Sequence, residues 1–461
     1  MKKVVVLGGG PGGYVAAIRA VQLGAEVTLV EADKLGGTCL NRGCIPTKAL
    51  ISSAKTLDSI RKRQQEGIIL PGALGIDFHK VMERKHTVVN RLVKGLQHLL
   101  TSHRITVIEG RAILGNDRTV EVTLKTGGQQ VLNPDSIILC TGSEPSFPKG
   151  IQPDGEWVVT STEALSFQEI PETLVIIGGG VIGVEIAYIF SNMGSRVSII
   201  EVENNLLPQE DHEAGKVLAG VMIKAGVNIQ LSTKVVGMNR ESNQVMTVDG
   251  SGAEKCLNAK RVLVATGRRP YLSYLSDSLK SQLCGQGSIT VNSFLETSLP
   301  NIWAAGDVTG LCQLAHAAFE QGAVAAENAV SDTRKAVDLD SVSRCVYTTP
   351  EIASVGISEA RAREQYPDVI IGRFPMLANG KALADDTGEG FAKIIARRKY
   401  GQVLGVVIVG SHASEIIGQA VLALQLEATL DELSKVIAPH PTVSETMKEA
   451  ALNALGRAIH I

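Results

Sequence analysis

The sequence has no long hydrophobic run, no strong net charge and few cysteines, and each absence excludes a class of protein. Its 461 residues contain no run of about 20 apolar residues, so no membrane-spanning helix is predicted. The formal net charge is −2, without the basic stripe that is typical of proteins that bind nucleic acid or membrane surfaces. The apolar run Val4–Leu7 is too short for a secretory signal. We therefore expect a cytoplasmic protein that binds neither nucleic acid nor membrane.

The seven cysteines include one close pair, Cys39 and Cys44, in the stretch GGTCLNRGC. Lasting disulfides are rare in the cytoplasm, and no second Cys/His cluster offers the further ligands of a zinc site. A structural disulfide and a zinc site remain open, but a reactive redox pair is favoured and no metal is expected. In a regular helix the two Cα atoms would be about 8–9 Å apart, whereas a disulfide needs about 4.4–6.8 Å. The backbone must bend, and Gly43 and Pro46 are predicted to supply the freedom and the break.

A strand–helix–strand unit occurs twice in the chain, at residues 3–31 and 173–201. The copies read KVVVLGGGPGGYVAAIRAVQLGAEVTLVE and TLVIIGGGVIGVEIAYIFSNMGSRVSIIE, and a constant offset of 170 residues relates them. Each copy has a β-branched run, a GxGxxG motif, an amphipathic helix and a glutamate at the end of its second apolar run. This pattern is typical of a dinucleotide-binding fold.

The residue types in each copy suit a dinucleotide for separate physical reasons. The first glycine allows a tight turn, the second lets a pyrophosphate approach the backbone, and the third lets the helix pack on the strand. The N-terminus of the helix binds the negatively charged pyrophosphate, and the glutamate accepts hydrogen bonds from a ribose diol. The residues with these roles are Gly8, Gly10, Gly13 and Glu31 in the first copy and Gly178, Gly180, Gly183 and Glu201 in the second.

Two dinucleotide sites indicate electron transfer between two cofactors. Glu201 begins the stretch EVENN, which has no arginine to bind a 2′-phosphate, so the second site is predicted to prefer NAD over NADP. The first site lies close in sequence to Cys39 and Cys44. A flavin suits that position because it exchanges electrons with both thiols and a nicotinamide.

Several segments resemble the pyridine nucleotide–disulfide oxidoreductases, and the resemblance runs over nearly the whole chain. The ends of the two nucleotide folds are resembled by IILCTGS (137–143) and LVATGRRP (263–270). The redox-disulfide motif is resembled by GGTCLNRGCIPTKAL (36–50), and the second flavin motif by NIWAAGDVTG (301–310). The start of the dimerisation domain is resembled by YTTPEIASVG (347–356), and the active-site tail by HPTVSETMKEA (440–450).

The resemblance implies an α/β fold of glutathione reductase type, with two Rossmann-like dinucleotide-binding domains and a C-terminal α+β dimerisation domain. The implied domains are an FAD-binding domain (1–147), an NAD-binding domain (148–269), a central domain that completes the FAD domain (270–341) and an interface domain (342–461). The Pro-rich segment EPSFPKG (144–150) and the turn GRRP (267–270) fit the ends of the two nucleotide folds. Residues 79–102 independently predict a long amphipathic helix, which we interpret as a packing helix.

The resemblance also implies which residues carry the chemistry. Cys39 is implied to be the interchange thiol, which forms a mixed disulfide with the substrate, and Cys44 to be the thiolate beside the flavin. His440, in a proline-flanked loop, is implied to be the base that collects the substrate's proton, and Glu445 to orient its imidazole. On its own, the position of His440 would also fit a surface residue.

Further residues are implied to bind the cofactors. Asp307 is implied to bind the ribityl chain of FAD, and Lys48 to pair with Glu185 near the flavin, although a solvated helix face is the alternative for these last two. The residues implied at FAD, besides the first glycine motif and Glu31, are Gly37, Thr38, Lys48, Ala112, Thr141, Gly142, Asp307, Ala315 and His316. Those implied at NAD, besides the second motif and Glu201, are Glu185 and Gly267.

The implied activity is the oxidation of protein-bound dihydrolipoyl groups by NAD⁺ through the disulfide and FAD. The implied partners are a second copy of the chain, in a homodimer, and a lipoylated carrier protein of a 2-oxoacid dehydrogenase or a glycine cleavage system. The alternatives are another NAD(P)H-dependent disulfide reductase and a non-catalytic flavoprotein scaffold of a multienzyme complex. Ala438 departs from the pattern, because the resemblance implies a histidine two residues before His440.

Overall fold

Each copy of the repeated unit forms the centre of a parallel sheet in the computed structural model, which describes residues 1–331 and 334–461. In the first copy Lys3 pairs with Glu26, and in the second copy Thr173 pairs with Arg196. The strand register therefore repeats with the same offset as the sequence.

The chain begins with the first dinucleotide fold, which is interrupted by long helices. The amphipathic helix predicted over residues 79–102 is confirmed as α4. The elements of this part are β1 (Lys3–Leu7), α1 (Pro11–Gln22), β2 (Glu26–Glu31), α2 (Gly37–Arg42), α3 (Cys44–Gln65), α4 (Phe78–Ser102), β3 (Thr106–Leu114), β4 (Val120–Leu124), β5 (Gln129–Leu132), β6 (Ser136–Leu139) and β7 (Ser143–Pro145).

The second dinucleotide fold follows, and the short strand after it pairs with β7. The elements of this part are β8 (Val158–Val159), α5 (Ser161–Ala164), β9 (Thr173–Ile177), α6 (Val181–Met193), β10 (Arg196–Ile200), α7 (His212–Lys224), β11 (Asn228–Gln230), β12 (Thr233–Asn239), β13 (Gln244–Asp249), β14 (Glu254–Asn258), β15 (Arg261–Val264) and β16 (Arg268–Pro270).

The remaining elements complete the first fold and then build an antiparallel sheet with helices. They are α8 (Asp277–Leu283), β17 (Cys284–Gly285), β18 (Ser288–Ile289), β19 (Ile302–Ala304), a 3₁₀ turn (Asp307–Thr309), α9 (Ala315–Val330), β20 (Arg344–Val346), β21 (Glu351–Gly356), α10 (Glu359–Gln365), β22 (Val369–Pro375), a 3₁₀ turn (Met376–Ala378), α11 (Gly380–Ala384), β23 (Phe391–Arg397), β24 (Val403–Gly410), α12 (Ala413–Gln425), α13 (Leu430–Lys435) and α14 (Glu445–Ala454). None of the helices in the described ranges is both long and apolar enough to cross a membrane.

The elements form two compact units, each built from three stretches of the chain. The first unit (1–49, 79–149 and 267–339) contains a seven-stranded sheet in the order β19-β6-β1-β2-β3-β4-β5. The second unit (50–78, 150–266 and 340–461) contains a parallel sheet in the order β11-β10-β9-β15-β8, the antiparallel sheet β12-β13-β14 and the antiparallel sheet β20-β21-β24-β23-β22. The predicted fold class, with two Rossmann-like folds and a C-terminal α+β region, is confirmed. The boundaries between the four domains stay predictions.

The central strand of the first sheet is apolar throughout because its two faces enter different cores. Val4 and Val6 pack into a cluster with the alanine-rich faces of α1 and α9, whereas Val5 and Leu7 pack into a cluster with residues of β3, β4 and α8. Successive side chains of a strand point to opposite faces, so a strand that is covered on both sides reads as a continuous hydrophobic run. The sequence VVVL is thus explained by helices and strands that cover both faces of β1.

A buried lysine stabilises the second unit through a cluster of carboxylates. The side chain of Lys393, on β23, is 3% exposed, and its Nζ lies 2.8 Å from Asp211, 2.9 Å from Glu213 and 3.4 Å from Glu359. Burial acts to lower the pKa of Lys393, but its hydrogen bonds to Asp211 and Glu213 outweigh burial, and the pKa is raised overall. The charged form of Lys393 is therefore the stable one, and it depends on these partners.

Replacing Lys393 should destabilise the protein far more than replacing an exposed lysine in a similar ion pair. In Lys393→Met the partner carboxylates lose their buried cation, which should cost about 3–5 kcal/mol. The control is Lys381→Met, which breaks an exposed pair with Asp385 at 2.7 Å and should cost no more than about 1 kcal/mol. Urea unfolding of the two variants tests this, and equal losses of stability would contradict it.

Candidate active site

The two cysteines of GGTCLNRGC lie on either side of a break between two helices. Helix α2 ends one residue before Gly43, and α3 begins at the next residue, Cys44. A Cβ atom at Gly43 would lie 2.9 Å from the carbonyl oxygen of Thr38 and 3.2 Å from Cα of Cys39, so this close approach requires glycine. The predicted bend therefore forms at Gly43. Pro46 does not break the helix, because it lies in the first turn of α3, where the backbone N–H has no helical partner.

The bend brings the side chains of Cys39 and Cys44 into hydrogen-bond contact, without a disulfide bond between them in this structure. The pKa of the Cys39 thiol is raised well above its ordinary value, first by the hydrogen bond with Cys44 and then by burial, while Lys48 opposes the shift. The two thiols are thus coupled, and a negative charge on Cys44 disfavours ionisation of Cys39. Because a thiol must lose its proton to become a nucleophile, exchange at Cys39 needs a base.

The first glycine motif closes the turn from β1 into α1. A Cβ atom at Gly8 would lie 2.3 Å from the carbonyl oxygen of Cys140, and one at Gly13 would lie 1.8 Å from the carbonyl oxygen of Gly8. Gly10 precedes α1 and provides no side-chain cap, so the N–H groups of the first turn are left for an anion. A Cβ atom at Gly37 would lie 2.7 Å from Cα of Gly10. The cysteine segment thus runs directly against a cradle that fits a dinucleotide pyrophosphate.

The second glycine motif has the same geometry in the second unit. A Cβ atom at Gly178 would lie 2.4 Å from the carbonyl oxygen of Ala265, and one at Gly183 would lie 2.0 Å from that of Gly178. Helix α6 follows Gly180, again without a side-chain cap, whereas α7 is capped by the carboxylate of Asp211. Both helices that the sequence predicts to bind dinucleotides thus begin without a side-chain cap.

The glutamate of each copy is buried and is fixed by backbone N–H groups. Glu31 accepts hydrogen bonds from Gly9 at 2.7 Å and from Asp33 at 2.6 Å. Glu201 makes the same two bonds, to the residues at the offset of 170, at 2.5 and 2.9 Å. Each carboxylate is therefore held at the end of its strand, and its remaining lone pairs can accept hydrogen bonds from a ribose diol.

The first unit contains all the residues that the sequence predicts at FAD. Asp307 begins a 3₁₀ turn, and its carboxylate accepts a hydrogen bond from Ser143 at 2.5 Å. Thr141 donates its hydroxyl to the carbonyl oxygen of Tyr271 at 3.1 Å, and the carbonyl oxygen of Gly142 accepts the Tyr271 N–H at 3.0 Å. The others are Ala112 on β3, Lys48 on α3, Thr38 on α2, and Ala315 and His316 at the start of α9. Donors, acceptors and glycine cradle together fit FAD.

The residues predicted at NAD lie in the second unit, except Gly267, which begins the last stretch of the first unit. Glu185, on α6, is 3% exposed and accepts the N–H of Tyr347 at 3.0 Å. Glu185 is thus not part of a solvated helix face, and that alternative is wrong for Glu185. Its pairing with Lys48 stays a prediction.

A histidine and a carboxylate form a dyad where the proline-flanked loop enters α14. Nδ1 of His440 lies 2.9 Å from Oε1 of Glu445, whose Oε2 accepts the N–H of Thr442 at 2.9 Å. Asn379 fixes this loop by donating its side-chain amide to the carbonyl oxygen of Thr442 at 3.0 Å. Burial raises the pKa of Glu445, but the Thr442 N–H and His440 outweigh it, and the pKa is lowered overall. An ionised Glu445 keeps the hydrogen on Nδ1, so the lone pair of the imidazole lies on Nε2.

Sequence reasoning missed two sets of residues around these groups. Arg268 donates to the hydroxyl of Ser143 at 2.8 Å and to its carbonyl oxygen at 2.6 Å, and so supports Asp307 through Ser143. Both residues lie in segments that showed the resemblance, so a signal was present. Tyr14 packs on Phe319, with ring centroids 5.9 Å apart, and burial and the nearby Cys39 raise its pKa. No local pattern could have found this pair, which depends on α1 crossing α9.

Two family models match the chain. The model described as pyridine nucleotide-disulphide oxidoreductase matches residues 2–322, and the model of the dimerisation domain of the same family matches residues 342–451.

Named relatives match over the full length. A dihydrolipoyl dehydrogenase of Bacillus subtilis is 41% identical over 458 residues, which cover 99% of each chain, and one of Geobacillus stearothermophilus is 38% identical over 100% of this chain and 97% of its own. Among solved structures, LpdA from Mycobacterium tuberculosis superposes with a TM-score of 0.89 at 28% identity, with 98% and 99% of the two chains covered. The HOCl-induced flavoprotein disulfide reductase RclA from Escherichia coli gives a TM-score of 0.84 at 29% identity, over 96% and 98%.

The glycine cradles, the contacting thiols of Cys39 and Cys44 and the matches over nearly all of the chain lead to the same conclusion. This chain belongs to the pyridine nucleotide–disulfide oxidoreductases and is an enzyme that uses FAD and NAD to transfer electrons to or from a disulfide.

Proposed function

We propose that this chain oxidises protein-bound dihydrolipoyl groups with NAD⁺, the reaction for which its curated relatives are named. The observation that carries the proposal is the contact between the Cys39 and Cys44 thiols. A dithiol of this kind exchanges two electrons with a substrate dithiol by thiol–disulfide exchange. The full-length relatives at 36–41% identity support the dihydrolipoyl group as the substrate, over other disulfides.

The reaction begins with the enzyme pair oxidised to a disulfide. The first thiol of the substrate gives its proton to His440, and its sulfur attacks Sγ of Cys39. The bond between Cys39 and Cys44 breaks, and Cys44 leaves as a thiolate. Its negative charge is favoured because Lys48 lies one helical turn further along α3.

The second thiol of the substrate then attacks the substrate sulfur of the mixed disulfide. Its proton goes to Cys39, which leaves as a thiol. The products are the cyclic disulfide of the substrate, a Cys39 thiol, a Cys44 thiolate and a protonated His440, so two electrons and two protons have moved. This distribution matches the raised pKa of Cys39 beside Cys44. FAD, when bound, carries the two electrons from the thiol pair to NAD⁺.

The base is proposed to come from a second copy of the chain. His440 follows the antiparallel sheet in the region that matches the dimerisation domain, and the thiol pair lies in the first unit. In a homodimer His440 of one subunit would close the site that holds Cys39 and Cys44 of the other. The same pairing would exclude water from the reacting sulfurs.

The proposed partner outside the dimer is a lipoylated carrier protein of a 2-oxoacid dehydrogenase or a glycine cleavage system. A cytoplasmic location fits this proposal, because a reducing compartment keeps the five cysteines outside the redox pair as thiols. A non-catalytic scaffold is the less supported alternative, because the thiol pair and the His440–Glu445 dyad are both intact.

Activity assays test the substrate and the nicotinamide together. Dihydrolipoamide with NAD⁺ should give the highest kcat/KM among dihydrolipoamide, glutathione and other thiols, each tried with NAD⁺ and NADP⁺. NADP⁺ should be poorer by at least ~100-fold, because the fixed carboxylate of Glu201 repels a 2′-phosphate. Glu201→Gln should narrow this ratio, whereas the matched control Glu203→Gln, an exposed neighbour, should leave it nearly unchanged. Comparable kcat/KM values for the two nicotinamides in the unaltered protein would refute the assignment.

A mixed dimer tests whether the base acts across the subunit interface. Cys44→Ser and His440→Gln should each inactivate the homodimer, since loss of a general base alone costs about 10²–10⁴-fold in rate. Co-expression of the two variants with different affinity tags allows the heterodimer to be isolated. If the base acts across the interface, one site combines an intact Cys44 with an intact His440, and activity returns to about half of the unaltered level.

The other site of this heterodimer contains both substitutions and remains inactive. If His440 acts within its own subunit, every site keeps one lesion and no activity returns. An inactive heterodimer of verified composition would therefore rule out the shared site.

A further inference from the structure

The C-terminal tail carries a second histidine–glutamate pair beside the first. Nδ1 of His460 lies 3.0 Å from Oε1 of Glu449, a contact equivalent to the one of 2.9 Å between His440 and Glu445. The two glutamates are four residues apart on α14, so they lie on the same face of the helix. His460 also acts on Glu445 itself: burial raises the pKa of this carboxyl, and His460 is among the groups that outweigh burial.

Glu449 is a buried carboxylate that depends on this imidazole. Its side chain is 9% exposed, and its Oε2 has no hydrogen-bond partner among residues 1–331 and 334–461. A buried carboxylate without compensation is unfavourable, and a second negative charge four residues from Glu445 repels the first. A positive charge on His460, 3.0 Å away, would compensate Glu449 and remove this repulsion.

We propose that His460 is a positioning residue for the acid–base dyad, which neutralises Glu449 so that only Glu445 sets the charge beside His440. This inference rests on the proposed role of His440 as the base. It gives the C-terminal tail a part in the reaction without direct contact with the substrate.

Most of the other charged groups around α14 have partners. Helix α14 packs against α13, β22 and β23. The pairs on these elements and on the tail are Asp431 with Arg457, Glu432 with Thr429, Arg373 with Glu213, Lys393 with Asp211 and Arg397 with Asp368, and the remaining charged side chains are Lys435 and Lys448. In this region of the described chain, His460 is therefore the basic side chain that directly contacts Glu449.

The sign of the effect follows from the charges. In His460→Gln the tail keeps an amide donor for Glu449 but loses its positive charge, so Glu449 adds an uncompensated negative charge near the dyad. That charge favours the protonated form of His440, and the acid limb of kcat/KM should move to higher pH. We expect a shift of about half a pH unit, below the 1–3 units of a close buried charge, because both imidazoles are largely exposed.

The experiment is the pH profile of kcat/KM for dihydrolipoamide oxidation by NAD⁺, measured on FAD-loaded dimers of four proteins. His460→Gln should move the acid limb to higher pH. Glu449→Gln should move it to lower pH, because the positive charge of His460 is then no longer offset by a carboxylate. The double variant removes both charges and should return the limb to the position of the unaltered protein. A tail that matters only for structure would not give opposite shifts that cancel.

The matched control is His79→Gln, which breaks an exposed His–Glu pair at 3.6 Å on α4 and should leave the profile unchanged. An unshifted limb in both single variants, or a double variant that keeps the shift of either one, would overturn the inference. His440→Gln in the same assay separates this failure from that of the proposed function. If His440→Gln retains activity, the base itself is misassigned, whereas an inactive His440→Gln beside unshifted variants rejects only the role of His460.

Discussion

Close approach between backbone segments is the constraint on which the redox centre depends. At Gly13, Gly37 and Gly43 a Cβ atom would fall within 1.8–2.9 Å of a backbone atom of another turn. Each contact is therefore possible only without a side chain. Together they place the pyrophosphate turn, the cysteine segment and the start of α3 against one another. The distance between the two thiols is set by this packing, because both lie on helices that begin or end at these glycines.

The parts of the structure that follow from local pattern could be predicted from the sequence. The repeated unit predicted two parallel folds, and the register of Lys3 with Glu26 repeats in the second copy. The period of the apolar residues predicted α4 to within one residue. The contact of His440 with Glu445 was predictable because only the four loop residues 441–444 separate them. In each case the interacting residues are close together in the sequence or belong to a recognisable motif.

Other features could not be predicted, because they depend on segments that are far apart in the chain. Lys393 is buried against carboxylates about 180 residues earlier. Tyr14 meets Phe319 only because α1 crosses α9, where Gly322 packs on the backbone of Gly12. Pro46 was misjudged for a different reason. Proline breaks the interior of a helix but is accepted in the first turn, so its effect depends on where the helix begins.

The division of the first unit into three stretches has a consequence for folding during synthesis. Strand β19 and helix α9 belong to this unit, but the ribosome makes them after the whole of the second dinucleotide fold. A nascent chain that ends at residue 300 therefore has an unpaired β6 edge and an uncovered alanine face on α1. It also lacks Asp307 and the α9 residues next to it. The fold that is encoded first is thus completed only after the second dinucleotide fold has been made, and until then its open edge is exposed to pairing with other chains.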